Sequence, residues 1–233
     1  MRYIPAYVRV PLLYDIGMIS RTAPFTALKF GAAIARNPRA IDTFIPVALH
    51  PSRTTWDTGV PMWNAHAIAW LADHLPEHGR VWEWGCGGST VWLSGHGQDV
   101  TSIESEAEWA DRVSSRCGAS VRLVPGTDDG TMRSEPQLRD RGVHFFDEYV
   151  TAIDAEPDES FDIVIIDGIC RKECARQAVA KVRPGGLAIV DDTNLAYLAP
   201  CLEPFAGWEF TRVRGFTRLE PIVYETTFCR RPV

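Results

Sequence analysis

The chain has 233 residues, 45% of them hydrophobic and 23% charged, with a formal net charge of −6. That is enough for the core of one large domain, or of one domain with a modest extension. The acidic balance speaks against a dedicated nucleic-acid binder, which would present a basic face. No internal repeat or low-complexity tract interrupts it. The six cysteines (Cys86, Cys117, Cys170, Cys174, Cys201, Cys229) are scattered, and no CxxC pair occurs. Neither a disulfide framework nor a zinc site is expected, and reduced, buried thiols in a cytoplasmic protein are.

Residues 1–50 are apolar and basic, with Arg2, Arg9, Arg21, Lys29, Arg36 and Arg39 against Asp15 and Asp42. Pro5, Pro11, Pro24 and Pro38 break the run, and no apolar stretch approaches the ~20 residues of a membrane span. No secretory signal pattern is visible. A protein without membrane attachment is expected, the alternative being peripheral attachment through a helix near Phe25 to Arg36. Residues 23–36 predict that short amphipathic helix, ending before Asn37-Pro38. A Pro- and Thr-rich passage from Pro46 to Pro61 reads as a linker or lid. The expected division is therefore an N-terminal helical extension or lid over 1–60 and a main domain over 61–233.

Residues 62–76 (MWNAHAIAWLADHLP) predict a helix with Ala65, Ile68, Leu71 and Leu75 on one face. Regular alternation comes next. Strands are predicted at Val81–Trp84, Val100–Ile103, Val121–Val124, Phe161–Ile166 and Leu187–Val190. Between them come helices opening at Ser89, running through Trp109 and Val113, and spanning Glu173 to Val182. The near-continuous apolar run FDIVIID is expected of a strand covered on both faces. WEFTRVRGF and IVYETTFCRR predict a closing hairpin. The expectation is an α/β, Rossmann-like doubly wound fold: a mostly parallel seven-stranded sheet, helices on both faces, and a C-terminal antiparallel hairpin. Ligands in such sheets sit beyond the carboxyl ends of the strands.

The first strand ends in Glu83-Trp84-Gly85-Cys86-Gly87-Gly88-Ser89-Thr90. Glycines at a strand-to-helix turn permit positive φ and close approach of a ligand, and the helix start after them offers free N–H groups. The second strand ends in Glu104, nineteen residues past Gly85. A carboxylate there can accept from both hydroxyls of a ribose. A nicotinamide fingerprint would want glycine at position 90, which is Thr90. The acid Glu83 would repel a pyrophosphate but suits a cofactor carrying an ammonium group.

The pattern E-x-G-x-G-x-S resembles motif I of class I S-adenosylmethionine-dependent methyltransferases. The resemblance covers about residues 60–233, including the FDIVIIDG strand, the PGG turn and the closing hairpin. It implies S-adenosylmethionine as cofactor, with Glu83 and the backbone of Gly85, Cys86 and Gly87 holding the methionine part and Ser89 where a third glycine is common. It implies Glu104 for the ribose, and Asp128 or Asp129 for the adenine amine.

Asp167-Gly168 ends the fourth strand and Asp191-Asp192-Thr193-Asn194 the fifth, so three carboxylates can converge. Unpaired, they would raise one another's pKa, and a cation, a basic side chain or loop amides must compensate. Asp167, Asp191 and Asp192 as oxygen ligands would suit Mg²⁺ or Ca²⁺. The arrangement resembles metal-dependent O-methyltransferases of catechols and sugars, in which the cation eases deprotonation of a hydroxyl. The histidine usual after IDG in the sugar enzymes is replaced here by Ile169-Cys170-Arg171. With EWGCGGST and DDTNLAY, that stretch is more similar to a group of bacterial methyltransferases of unnamed substrate. Arg171 would then pair with the aspartates or with an anionic substrate. The metal-free version is the one preferred. His144 is a further candidate for general base, and Asp167, Arg171 and Asp191 complete the candidate catalytic set. For Tyr149, Tyr197, Cys174 and the tryptophans around the glycine loop, packing is the expected role.

The function expected is O-methylation of a small hydroxyl compound such as a sugar or glycan unit. The partners expected are that small acceptor and no nucleic acid, with a homo-oligomer left open. Alternatives are aminopropyl transfer of the spermidine-synthase type, or a non-catalytic binding protein that keeps the fold.

Overall fold

The computed structural model describes residues 59–133, 144–217 and 223–233, and of the first 58 only residues 31 and 35, as helical. The extension assigned to 1–60, the helix over 23–36 and its membrane-facing alternative thus fall almost wholly outside the described residues. Among the described residues, no helix is long and apolar enough to cross a membrane.

Seven strands form one sheet: β1 Arg80–Trp84, β2 Asp99–Glu104, β3 Ser120–Leu123, β4 Phe161–Ile166, β5 Val182–Val190, β6 Glu209–Phe216 and β7 Val223–Arg230. Their order is β3-β2-β1-β4-β5-β7-β6. β1 to β5 pair in parallel, while β7 runs antiparallel to both β5 and β6. This is the doubly wound sheet with a closing antiparallel hairpin that the alternation predicts.

Side chains along each strand alternate between two apolar layers. Trp82, Trp84, Val164, Ile166, Ala188 and Val190 face one core with α4 (Asp147–Thr151), α5 (Arg171–Lys181) and the 3-10 turns Ala152–Ala155 and Ala199–Phe205. Val81, Ile163, Ile165, Leu187 and Ile189 face the other, with α1 (Ala65–Ala72) and Leu93 of α2 (Gly88–Gly95). Helix α3 (Ala107–Ser114) buries Ala110 and Val113.

Two boundaries differ from expectation. Helix α1 starts at Ala65 because the Asn64 side chain caps it, accepting from Ala67 N at 3.0 Å. Its end before Leu75-Pro76 reflects the restriction proline puts on its predecessor. Strand β5 begins at Val182, five residues before the predicted start. Val182 pairs with Phe161 and Leu187 with Ile163, so Pro184-Gly185-Gly186 forms an irregularity within the strand. Gly185 takes a φ of +75°, which only glycine adopts freely.

Candidate functional site at the carboxyl ends of the strands

The end of β1 and the end of β4 meet. Gly85 has φ +91°, and a Cβ there would lie 2.7 Å from Gly168 Cα. Gly87, by contrast, is extended, and a Cβ on it would meet nothing within 4 Å. The loop is packed from beneath, and among the described residues nothing stands over Gly87.

Glu83 points from β1 toward α2 and has no exposed surface. Its carboxylate accepts from Ser89 Oγ, from Thr90 Oγ1 at 2.5 Å and from Ser102 Oγ at 2.8 Å. Thr90 Oγ1 in turn accepts from Gly87 N at 2.9 Å. Burial raises the Glu83 pKa to about 7, opposed by the three hydroxyl donors. Ser102 is the residue paired with Glu83 across β1 and β2, which is why it reaches the same carboxylate. Glu83 therefore braces the loop and the first turn of α2 from below.

Glu104 closes β2 and is also buried, which raises its pKa. Backbone amides oppose that: Ser105 N at 2.7 Å and Glu106 N at 2.9 Å on Oε1, and Cys86 N at 3.1 Å on Oε2. The carboxylate is thus aligned by its own turn and tied to the glycine loop. Cys86 is buried, and its thiol is pushed far above the usual range by that burial and by Glu104 and Glu83.

The second half of the site is built around Arg171, whose side chain is 2% exposed at the start of α5. Its Nε donates to Gly168 O at 2.9 Å and one terminal nitrogen to Asp191 O at 3.0 Å. Ion pairs run to Asp167 Oδ1 at 3.1 Å and to Asp192 Oδ2 at 3.3 Å. Asp167 Oδ2 accepts from the indole Nε1 of Trp63 at 3.0 Å, across 104 positions of sequence. Asp191 instead accepts from Thr226 Oγ1 at 2.6 Å. Asp192 reaches the cluster by a left-handed turn, φ +61°.

Burial lifts Asp167 to about 6, with Arg171 and Trp63 pulling down and Asp192 pushing up. Asp191 is raised much further, by burial and then by Asp192 and Asp167. Burial also raises Asp192, against the pull of Arg171.

Ligand oxygens of Asp167, Asp191 and Asp192 lie within 4.8 Å of one another, the spacing of a divalent-cation site. The donor set does not present itself to a cation, however. Arg171 already pairs with two of the three carboxylates, and the third is turned to Thr226. An ion gripping all three would share two of its carboxylates with the Arg171 guanidinium, a like charge at close range.

His144 lies beside the turn that follows β3. A Cβ on Gly126, after β3, would be 2.8 Å from the His144 Cβ, and His144 Nδ1 is 3.9 Å from Asp128 Oδ1. Asp128 itself is fully exposed on its turn. Tyr149 is buried in α4, with its hydroxyl bonded to the Ile169 backbone beneath Gly168, and Cys174 is buried in α5. Tyr197 is 46% exposed. The residues that sequence reading passed over are Trp63, Thr90, Ser102 and Thr226. Of these only Thr90, inside the glycine run, carried a local signal.

No family model matches the chain, and no curated protein matches it. Among solved structures it is similar to a methyltransferase of Pyrococcus furiosus, 14% identical, over 86% of this chain and 100% of that one, with a TM-score of 0.47. It is also similar to a methyltransferase-like protein of Silicibacter pomeroyi, 21% identical, over 74% and 92% of the two chains, with a TM-score of 0.45. A precorrin-6y C5,15-methyltransferase of Geobacter metallireducens is 15% identical over 70% and 86%, again with a TM-score of 0.45. Likenesses at this level carry no activity across to this chain.

Proposed function

We propose that this chain binds S-adenosylmethionine and transfers its methyl group to a hydroxyl of a small acceptor, with Asp167 taking the hydroxyl proton. The observation that carries the cofactor class is Glu83 beneath the first turn of α2. A helix start after a glycine loop ordinarily favours a phosphate. Here the hydroxyls of that turn are spent on a buried carboxylate, which in its ionised form, about half of it at neutral pH, sets negative charge against a pyrophosphate and suits a cationic ligand. Glu104, at the end of the neighbouring strand, turns Oε2 to the loop at Cys86 N, and a second lone pair of that oxygen can accept a ribose hydroxyl. The open space over Gly87 admits the ligand against the backbone.

S-adenosylmethionine bound in that loop supplies a methyl group activated by a sulfonium. The rest falls to the chain's own side chains. The Gly85–Gly168 contact sets Asp167 directly beside the glycine loop. Its side chain keeps 21% exposure and a pKa of about 6, so it is ionised at neutral pH and accessible to an acceptor. Arg171 and Trp63 hold its two oxygens, which fixes the direction of proton transfer. Arg171 also supplies the positive charge that the carboxylates need, and the proposed proton transfer runs without a metal.

Isothermal titration with S-adenosylhomocysteine, NAD and NADP tests the cofactor class. Heat from the first alone supports the reading, and heat from a dinucleotide alone sinks it. Transfer of labelled methyl to a panel of hydroxyl and amine acceptors then tests the acceptor chemistry.

A further inference from the structure

Trp63 immediately precedes the Asn64 cap of α1 and has no exposed surface. Asn64 is pinned in turn: its Nδ2 donates to Val213 O at 3.1 Å, and its backbone bridges to Thr217. The backbone of Trp63 is therefore anchored through its neighbour Asn64. At the far end of its side chain the ring N–H reaches Asp167 Oδ2, while Arg171 meets Oδ1. The two oxygens of one carboxylate are thus held from two different elements, the entry to α1 and the start of α5. A carboxyl group turns easily about its last torsion, and two donors on separate oxygens stop that rotation.

Three positions before Trp63, the backbone lies against the glycine loop's helix. A Cβ on Gly88, the first residue of α2, would stand 2.1 Å from Val60 O. The run Val60-Pro61-Met62-Trp63 so touches the start of α2 at one end and Asp167 at the other. Pro61 fixes its own φ and disfavours helical backbone at Val60, which narrows the freedom of this short run.

We propose that Trp63 is a positioning residue for Asp167, and that the run from Val60 to Trp63 ties the seat of that carboxylate to the state of the glycine loop. The inference rests on the reading of Asp167 as the proton acceptor. A tryptophan kept only for packing could be exchanged for phenylalanine without consequence beyond the core. A tryptophan that aims a carboxylate leaves a signature in its N–H.

The test is the full chain with ¹⁵N-labelled tryptophan indoles, the Trp63 cross-peak being assigned as the one lost in Trp63→Phe. In Asp167→Asn, where the acceptor charge is gone, the Trp63 indole proton should move upfield more than that of any other tryptophan. Saturating S-adenosylhomocysteine should shift the same peak, as should Gly88→Ala, which pushes Val60 aside without touching Asp167. A Trp63 peak indifferent to Asp167→Asn overturns the positioning role. A peak that answers Asp167→Asn but neither S-adenosylhomocysteine nor Gly88→Ala overturns the coupling. If S-adenosylhomocysteine does not bind by titration, the cofactor reading falls, and Asp167→Asn with Gly88→Ala still decides this one.

Discussion

Gly85 and Gly168 meet backbone to backbone at the centre of the site, one lying just past β1 and the other just past β4. A Cβ on Gly168 would lie 3.0 Å from Gly85 N and 2.0 Å from Tyr149 Oη. One contact therefore carries three constraints: the shape of the glycine loop, the height of Asp167 and the seat of α4. Gly168→Ala is expected to destabilise the fold by about 1–3 kcal/mol, the usual scale for overpacking a closed interior. It should also weaken S-adenosylhomocysteine binding, because the loop has to retreat. Urea unfolding and calorimetric titration of the variant check both; native stability with native affinity would remove the contact from the account.

Glu83 sets a pH dependence whose sign is fixed by its burial. Its pKa rises from 4.5 to about 7 on folding, so the folded state holds the proton more tightly than the unfolded one. Below pH ~4.5 both states are protonated and the contribution is fully present. Between pH ~4.5 and ~7 it is lost, by about 3 kcal/mol at 1.36 kcal/mol per pKa unit, and above pH ~7 it changes no further. Asp167 slopes the same way up to about pH 6. Glu83→Gln should therefore flatten much of the fall in unfolding free energy between pH 5 and pH 7.5. An unchanged slope in that variant would show that Glu83 does not titrate there.

How much of this was legible in the sequence depends on the range of each interaction. The short, mostly apolar segment Val81 to Trp84 and the apolar run Phe161 to Ile166 carry the sheet, since both report burial locally. The Gly85–Gly87 turn and the acid ending β2 are likewise readable within a single βαβ unit. The convergence of Asp167 with Asp191 and Asp192 can be read from strand adjacency alone. Trp63 meeting Asp167 and Thr226 meeting Asp191 cannot, because they join positions 104 and 35 residues apart through packing. Ser102 becomes visible only with the β1–β2 register, and the sequence around Asp128 and His144 has no period from which their proximity could be read.

Arg171 is the charge on which the aspartate cluster depends. Arg171→Met removes two ion pairs and the donors to Gly168 O and Asp191 O, and leaves buried carboxylates facing one another. The expected cost is at most about 3–5 kcal/mol, the figure for full burial, because Asp167 and Asp192 keep 21% and 15% exposure. Lysine restores charge without the planar fork, so Arg171→Lys should recover only part of it. Excess EDTA should leave the melting temperature and methyl transfer of the unaltered protein unchanged. A melting temperature that falls with EDTA and returns with Mg²⁺ would put a cation in the cluster and Arg171 in a lesser role.

Glu104 tests the proposed ribose contact, and the choice of variant decides what is learned. Alanine would strip the acceptor from Cys86 N, Ser105 N and Glu106 N and disturb the loop itself. Glutamine keeps one carbonyl oxygen, which can take the Oε1 place and serve Ser105 N and Glu106 N, so the turn after β2 should persist. Its NH2 replaces the oxygen that accepts from Cys86 N, and the charge is lost. Hydrogen bonds to a charged acceptor contribute about 1.5–3 kcal/mol, against about 1 for neutral pairs. Glu104→Gln should thus weaken S-adenosylhomocysteine by roughly 1–2 kcal/mol, which is about five- to thirtyfold in Kd. Because burial raises the carboxylate's pKa, the unaltered protein should itself bind less tightly as Glu104 becomes protonated on acidification. The glutamine variant should lack that dependence. Equal affinity of the two proteins at neutral pH would take Glu104 out of the ribose site.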